Sequence, residues 1–516
     1  MVTPQHPPIC RRFFLGSRPI GWLLVALFGL LVEVSFGQNT PQVSLDSSET
    51  LFTVLTAINA CGYDQELNSS DPLRANIRSA VAKAIEGSDE ARETANNMCA
   101  FYREHQQPES SRELAQYVSL ALYLGGPPAF SPKVKESELP PDATRVVGIV
   151  PLLQTFYVHA GLQDIWKQHR ETYAGLGARY HEGLSKMLFS TEVYLKIPSA
   201  AYLGRQFTVY LDPMGAPSQI NARNYGTDYY VVISPAGSAL KMQQIRHTYL
   251  HYLLDPLALK NGTAIKRLEP LLDGVKAAPM DESFKTDISL LVTECLVRAI
   301  EARTAGPSKA MEAERGKVVE KSVQEGYVLT GYFYDALAQF EKDPAGMRQA
   351  YADMLAKIDV SKERKRESQI EFAHQAEPEL LHLSRPAGEH LLLTAERRLS
   401  AGDPQAAQKL AQEALNENRE DQGRALFILA QVATVNRDMQ GARNYFERAL
   451  QVAQEPKVIA WSHIYLGRIF DLQENREAAL GHYRAALTAG NSLPEAKAAA
   501  ERGLQQPYEP PTSHQE

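Results

Sequence analysis

Two histidines near the middle of the chain have a spacing that suits metal binding. His247 and His251 are four residues apart in a segment with helical character. In a helix this spacing puts both imidazole rings on one face, where they could share one zinc ion. A pair of this kind is a weak signal alone, because two core histidines with hydrogen-bond partners inside an unrelated fold would give the same pattern.

A glutamate further along the chain is the candidate third ligand. Glu294 follows His251 by 43 residues and is embedded in an apolar helical run, where a carboxylate needs a partner to be tolerated. Glu301 is the alternative third ligand, although it stands among arginines and an exposed ion pair would explain it as well. The predicted metal ligands are therefore His247, His251 and Glu294, with zinc as the cofactor they would hold.

The order of elements around these residues resembles that of gluzincin-type metallopeptidases. Short strands come first, the two-histidine helix follows directly, and a helix that carries a glutamate comes next. The resemblance extends over about residues 190 to 345 and implies a zincin-like domain with a small sheet. The family keeps an oxyanion-stabilising Tyr or His in the following helix, where Tyr327, Tyr332 and Tyr334 stand; packing would explain these tyrosines equally well.

The sequence departs from this family at the general base. The family motif is His-Glu-x-x-His, and its glutamate takes a proton from the attacking water and delivers it to the leaving amine. Thr248 stands in that position, and a threonine hydroxyl cannot hold a proton reversibly near neutral pH. We therefore predict no catalytic residue here and a catalytically impaired protein. The alternative is an active zinc peptidase that uses His247, His251 and Glu294 with a base from elsewhere.

The elements that must position these residues follow from hydrophobic periodicity and turn residues. Short strands rich in β-branched and aromatic residues are predicted at 193–197, 207–211 and 229–233. Helices are predicted within 45–125, over 150–189, and at 240–254, 287–303 and 319–342. Asp255 and Pro256 are expected to stop the helix that carries the two histidines, because proline disfavours helical backbone in the residue before it.

The C-terminal part contains a repeat with a period of about 34 residues. Corresponding positions in the last copy are Leu466, Gly467, Phe470, Ala479, Tyr483 and Ala486. The middle copy has Leu429, Ala430, Ala433, Ala442, Phe446 and Ala449, and a degenerate first copy has Ala395, Ala407, Ala411 and Ala414. This pattern resembles the tetratricopeptide repeat, which implies an α-solenoid whose concave surface binds a peptide or a partner protein.

The N-terminus has the features of an export signal. Arg11 and Arg12 precede an apolar stretch, and Ser35-Phe36-Gly37 supplies small residues for cleavage before Gln38. The arginine pair also resembles the twin-arginine export motif, and the general secretory route remains an alternative. We expect an exported protein, periplasmic or extracellular, with no membrane span after cleavage.

Cysteine use fits an oxidising compartment. Cys61 and Cys99 lie in predicted helices, where one disulfide could form; whether they pair is left open. Cys295 is expected to be a small core residue, and Cys10 would be lost with the signal segment. No Cys-x-x-Cys spacing occurs, which disfavours a cysteine metal site.

Composition and charge exclude several classes of function. The formal net charge is −7, with no basic block beyond the N-terminus, which disfavours nucleic acid as a partner. No glycine-rich phosphate loop or serine nucleophile elbow is present. The predicted fold class is α+β and mostly helical. Its segments are a signal peptide (1–37), a helical region (38–145), the zincin-like domain (146–355), a linker (356–385), the repeats (386–507) and a disordered tail (508–516).

Overall fold

Apolar residues at helical spacing form helices through most of the chain, as the sequence predicts. A computed structural model describes residues 43–197, 205–225, 227–237, 240–306, 311–377, 381–383, 391–417, 420–490 and 493–509. These residues form a mostly helical α+β fold with a small mixed sheet, which confirms the predicted fold class at this level. The predicted signal segment lies outside the described residues.

The N-terminal helices pack around one apolar core. Their bounds are α1 (Glu49–Ala60), α2 (Pro72–Gly87), α3 (Asp89–Glu104), α4 (Ser110–Tyr123), α5 (Pro141–Val146), α6 (Val150–His159) and α7 (Leu162–Leu195). Side chains of Ser48, Asp71 and Ser88 accept a backbone N–H in the first turns of α1, α2 and α3. Such caps satisfy donors that a helix start leaves unpaired, and they fix where these helices begin.

A disulfide joins the end of α1 to α3. It links Cys61 to Cys99, so the pairing that the sequence left open is made. Cys295 is a buried free thiol, as expected for a small core residue.

Arg74 is fully buried where α2 meets the turn that follows α1. Its guanidinium donates to the side chains of Asn59 and Ser70 and to the carbonyls of Gln65, Tyr63 and Gly215. One side chain thus donates to acceptors from several segments, and its removal takes a hydrogen bond from each of them.

Arg74→Ala is therefore expected to lower the free energy of unfolding by about 3 kcal/mol or more. Arg78 is the matched control, since it also bonds Asn59 and Tyr63 but is only half-buried. Arg78→Ala should cost about 1 kcal/mol. Urea unfolding of the two variants measures the difference, and equal losses would contradict the role given to Arg74.

In the described part of the chain, the sheet has five strands in the order β1-β2-β4-β3-β5. The strands are β1 (Val43–Asp46), β2 (Gln206–Leu211), β3 (Asn221–Tyr225), β4 (Asp228–Ile233) and β5 (Leu381–Leu383). Only β3 and β4 pair antiparallel; the other neighbours are parallel. The sheet therefore takes strands from the predicted helical region and the predicted linker as well as from the predicted zincin-like domain.

The middle helices carry the candidate site and a second core. They are α8 (Met242–Lys260), α9 (Gly262–Lys266), α10 (Glu282–Thr286), α11 (Ile288–Thr304), α12 (Glu312–Glu325), α13 (Thr330–Phe340), α14 (Met347–Ala356) and α15 (Val360–Glu367). Helix α11 lies against α8, α12 and α13. The single helix predicted over 319–342 is two helices, α12 and α13, separated by a turn at Gly326, whose φ is 117°.

Two predicted elements differ from those observed. Residues 193–197 were expected to form a strand, but α7 continues to Leu195, where Lys196 adopts a left-handed conformation. Helix α8 does not stop at Pro256 but continues to Lys260. Proline removes the N–H that would bond the Tyr252 carbonyl, and the guanidinium of Arg205 donates to that carbonyl instead. This replacement bond explains why the proline is tolerated.

The C-terminal helices pack in sequence, each against the next. They are α16 (Leu391–Ser400), α17 (Pro404–Glu417), α18 (Gln422–Val435), α19 (Met439–Val452), α20 (Pro456–Leu472), α21 (Arg476–Ala489) and α22 (Pro494–Gln505). Small residues permit close packing, since a Cβ at Gly467 would come within 2.6 Å of the Tyr483 ring. Of the predicted tail, Tyr508 donates its N–H to Asp471, and residues 510–516 lie outside the described part.

This helical array contacts the rest of the chain through ion pairs. Arg424 of α18 lies 3.2 Å from Glu138, and Lys457 of α20 lies 3.5 Å from Asp228 of β4. Among the described residues no single helix is long and apolar enough to cross a membrane. One pair, Pro141–His159 and Leu162–Leu195, reaches that length and composition jointly, but it is bent by 80°.

Candidate metal centre

Helices α8 and α11 bring the three predicted ligands together. His247 and His251 lie on one face of α8, with ring centroids 5.2 Å apart. Glu294 of α11 directs Oε2 between them, 3.0 Å from Nε2 of His251 and 3.5 Å from Nε2 of His247. All three side chains are buried, and one ligand atom from each lies within 4.8 Å of the others. This group could hold a metal ion.

The outer nitrogen of each imidazole contacts a carboxylate. Nδ1 of His247 lies 3.2 Å from Oε1 of Glu301, and Nδ1 of His251 lies 3.0 Å from Oδ1 of Asp255. A carboxylate at Nδ1 holds a proton there and leaves the Nε2 lone pair available, which is the usual arrangement behind metal-binding histidines. Glu301, the alternative third ligand, thus orients His247, while Glu294 occupies the position between the rings.

Arg298 fixes the glutamate from the other side. Its Nε lies 2.6 Å from Oε1 of Glu294, and its Nη1 lies 3.1 Å from Oε2 of Glu325. The guanidinium also stacks 3.7 Å from the centre of the Tyr327 ring. One oxygen of Glu294 is therefore held by Arg298, and the other faces the two histidines.

A single buried nitrogen tests whether the group fits a metal. Nε2 of His247 makes no hydrogen bond among the described residues, and its ion-pair partner, Oε2 of Glu294, lies 3.5 Å away. A buried polar atom without a partner costs free energy, and a cation between Nε2 of His247, Nε2 of His251 and Oε2 of Glu294 would remove that cost. Two nitrogens and one carboxylate match the protein ligands of many zinc sites and leave a fourth position open.

The charges around the ligands shift their pKa values. Burial lowers the pKa of His247, but Glu301 and Glu294 outweigh it and raise the pKa to about 10. Burial also lowers the pKa of His251, but Asp255 and Glu294 outweigh burial and raise this pKa to about 9. Burial alone would raise the pKa of Glu294, yet His247 and Arg298 hold it well below its usual range. Without metal, both imidazoles are therefore cations paired with carboxylates at neutral pH.

Metal binding is expected to release about two protons per ion at pH 7.5, because both imidazoles must become neutral to act as ligands. Calorimetric titration with zinc in two buffers of different ionisation enthalpy measures this number. The raised pKa values of the two histidines also stabilise the metal-free folded state. This stabilisation is complete below pH 6.5 and is lost as the pH rises through the pKa of His251, about 9, and that of His247, about 10. Release of fewer than about one proton would contradict the assigned ligands.

Thr248 stands where the His-Glu-x-x-His motif has its general base, and it provides no group that can accept a proton near neutral pH. Thr248 is fully buried, and its hydroxyl donates to the carbonyl of Gln244 at 3.3 Å. The carboxylates that contact the two imidazoles are Glu294, Glu301 and Asp255, and each is engaged there. None of these carboxylates can act as a free base without losing its contact with a histidine.

The candidate oxyanion tyrosines all have other contacts. Tyr327 stacks on Arg298, Tyr332 donates to the carbonyl of Met354, and Tyr334 donates to Glu312. Packing and structural hydrogen bonds therefore account for the three, and none touches the metal ligands through these bonds.

Asp255 is the site residue that sequence reasoning missed. It was interpreted only as the residue before a proline that ends the helix. Its two oxygens accept from Nδ1 of His251 and from the hydroxyl of Tyr229. The available signal was its spacing of four residues from His251, which puts both on the same helix face.

Comparison with protein-family models, with curated proteins and with solved structures finds no match to this chain.

Proposed function

We propose that the protein holds one zinc ion at His247, His251 and Glu294 in a metallopeptidase-like domain that is catalytically impaired. The observation that carries this proposal is the pairing of each histidine with a carboxylate through Nδ1 while both Nε2 atoms face Glu294. Thr248 supports the proposal that catalysis is impaired, since its hydroxyl donates to a carbonyl of its own helix. When bound, zinc would supply a positive charge that polarises a carbonyl, whereas Thr248 and the carboxylates described at the two imidazoles supply no free base.

We further propose that the C-terminal array is a tetratricopeptide-type scaffold that binds polypeptide. Helix-by-helix packing and close contacts at Gly467 support this assignment. Val435 and Leu472 are the last residues of α18 and α20, and they are 42% and 41% exposed. Apolar side chains repeated at equivalent places on a solvent-facing edge suit contact with an unfolded chain.

We also propose that the protein is exported, on the basis of the predicted N-terminal signal. The Cys61–Cys99 disulfide is compatible with the periplasm or the extracellular space, where such bonds persist. The mature chain is expected to begin at Gln38. Mass spectrometry of exported protein tests this, and an intact Met1 on cytoplasmic protein would remove it.

A labelled unfolded polypeptide, such as reduced and carboxymethylated lactalbumin, should bind and remain uncut. The double variant Val435→Lys/Leu472→Lys is expected to weaken binding about tenfold, because charge replaces apolar contact at both repeats. Val318→Lys is the control, since Val318 is 47% exposed on α12, outside the array. Fluorescence anisotropy measures affinity, and gel analysis measures cleavage. Equal binding by both variants would remove the array from the proposal, and rapid zinc-dependent cleavage would favour the active peptidase.

A further inference from the structure

A small cavity lined by both polar and apolar residues adjoins the candidate metal centre. It has a volume of about 110 Å³ and lies between the C-terminal half of α8, the start of α11, the β3–β4 turn and α16. The polar residues that line it include Arg205, Asn224, Thr227, Asp255, Thr293 and Arg397. Asp255 also bonds His251, so the cavity begins one side chain away from a metal ligand.

Arg205 gives this cavity a positive charge, and none of its partners among the described residues carries a negative charge. The side chain is only 6% exposed. Its partners among the described residues are the carbonyl of Tyr252 and the rings of Tyr252 and Tyr229, at 4.2 and 6.0 Å. None of these partners is a carboxylate, and a buried guanidinium without an anion is costly.

Among the described residues that line the cavity, Asp255 is the acidic one, and it already has two hydrogen-bond partners. Asp255 accepts from Nδ1 of His251 and from the hydroxyl of Tyr229, which uses both of its oxygens. Arg397 adds a second guanidinium, which lies 3.3 Å from the Asn224 side-chain oxygen. The wall thus combines two arginines with neutral polar side chains, and guanidinium groups suit a small planar anion.

We propose that this cavity binds a carboxylate, namely the C-terminal carboxylate of a bound polypeptide. The volume admits the end of a chain but is well below that of a pocket for a larger ligand. Arg205 would contribute a charge-assisted hydrogen bond and gain the anion that it lacks. The carboxylate chemistry stands on the cavity alone, whereas the choice of a polypeptide as its source rests on the proposed function.

Three probes separate the possible sources of the carboxylate. They are N-acetyl-alanyl-alanine, its C-terminal amide, and N-acetyl-aspartate amide, titrated into the full-length mature protein by calorimetry. The free acid should bind, and the amide should bind at least about tenfold more weakly because it lacks the charge. Equal binding of acid and amide would overturn the proposal. Stronger binding of the aspartate amide would overturn the C-terminal source.

Arg205→Gln is expected to weaken binding of the free acid about tenfold or more, with Arg179→Gln, at an exposed arginine, as the matched control. Because Arg205 also bonds the Tyr252 carbonyl, Arg397→Gln provides a second variant on the cavity wall and should weaken binding in the same direction. Unchanged affinity in both variants would overturn the proposal. Zinc content is measured on each variant, so loss of acid binding with zinc retained is distinguished from failure of the metal centre itself.

Discussion

His251→Ala is expected to remove most of the zinc bound by the mature protein, with a loss of affinity of about a hundredfold or more. His251 is one of the three proposed ligands, and its ring is held by Asp255 and Glu294 at 3.0 Å each. The variant leaves Glu294 with a single imidazole partner, and two ligands hold zinc far more weakly than three. Competition with a chromogenic chelator measures the affinity.

His169→Ala is the matched control for this experiment. His169 is a half-buried histidine of α7 that lies outside the cluster, and its removal should leave zinc affinity unchanged. Asp255→Asn should lower zinc affinity by an intermediate factor of about ten to a hundred, because Asp255 orients His251 and is not itself a proposed ligand. Full zinc affinity in His251→Ala would exclude the assigned ligands.

Thr248→Glu is expected to raise peptide hydrolysis on the order of a hundredfold above the parent. The substitution puts a carboxylate on α8 directly after His247, the position of the general-base glutamate in the metallopeptidase motif that this segment resembles. At this position the parent has Thr248, whose hydroxyl donates to the Gln244 carbonyl. A fluorogenic peptide with zinc present provides the measurement.

Thr248→Gln is the control that separates shape from chemistry. Glutamine fills the same volume as glutamate but cannot accept and return a proton near neutral pH. Hydrolysis should therefore rise in Thr248→Glu alone, and zinc content should be the same in both variants. Robust zinc-dependent hydrolysis by the parent would show that another group serves as the base.

The helices of this fold were predictable because their apolar faces repeat at short range, whereas several strands were not. β3 reads Asn-Ala-Arg-Asn-Tyr, yet all of its residues are buried. Arg223 is tolerated there because Asp142 lies 3.1 Å away, across a long sequence separation. β1 and β5 are short segments that become strands only by pairing with β2 and β3. No local pattern carries that information.

Long-range contacts also decided the details of the candidate site. The spacing of His247 and His251 predicted one helix face, and the apolar surroundings of Glu294 predicted a buried partner. The role of Glu301 depends on how α11 lies against α8, which the sequence does not specify. The continuation of α8 past Pro256 depends on Arg205, which is far from it in the chain. That continuation keeps Asp255 in the helix, where it reaches His251.

Metal analysis of the purified mature protein tests the central claim most directly. Mass spectrometry of the native protein and elemental analysis should find about one zinc ion per chain, because three buried ligands with two supporting carboxylates form a tight site. The same stoichiometry should return after chelation and addition of excess zinc. Absence of zinc under both conditions would contradict the account, and would leave His247 and His251 as buried imidazolium ions paired with Glu301, Asp255 and Glu294.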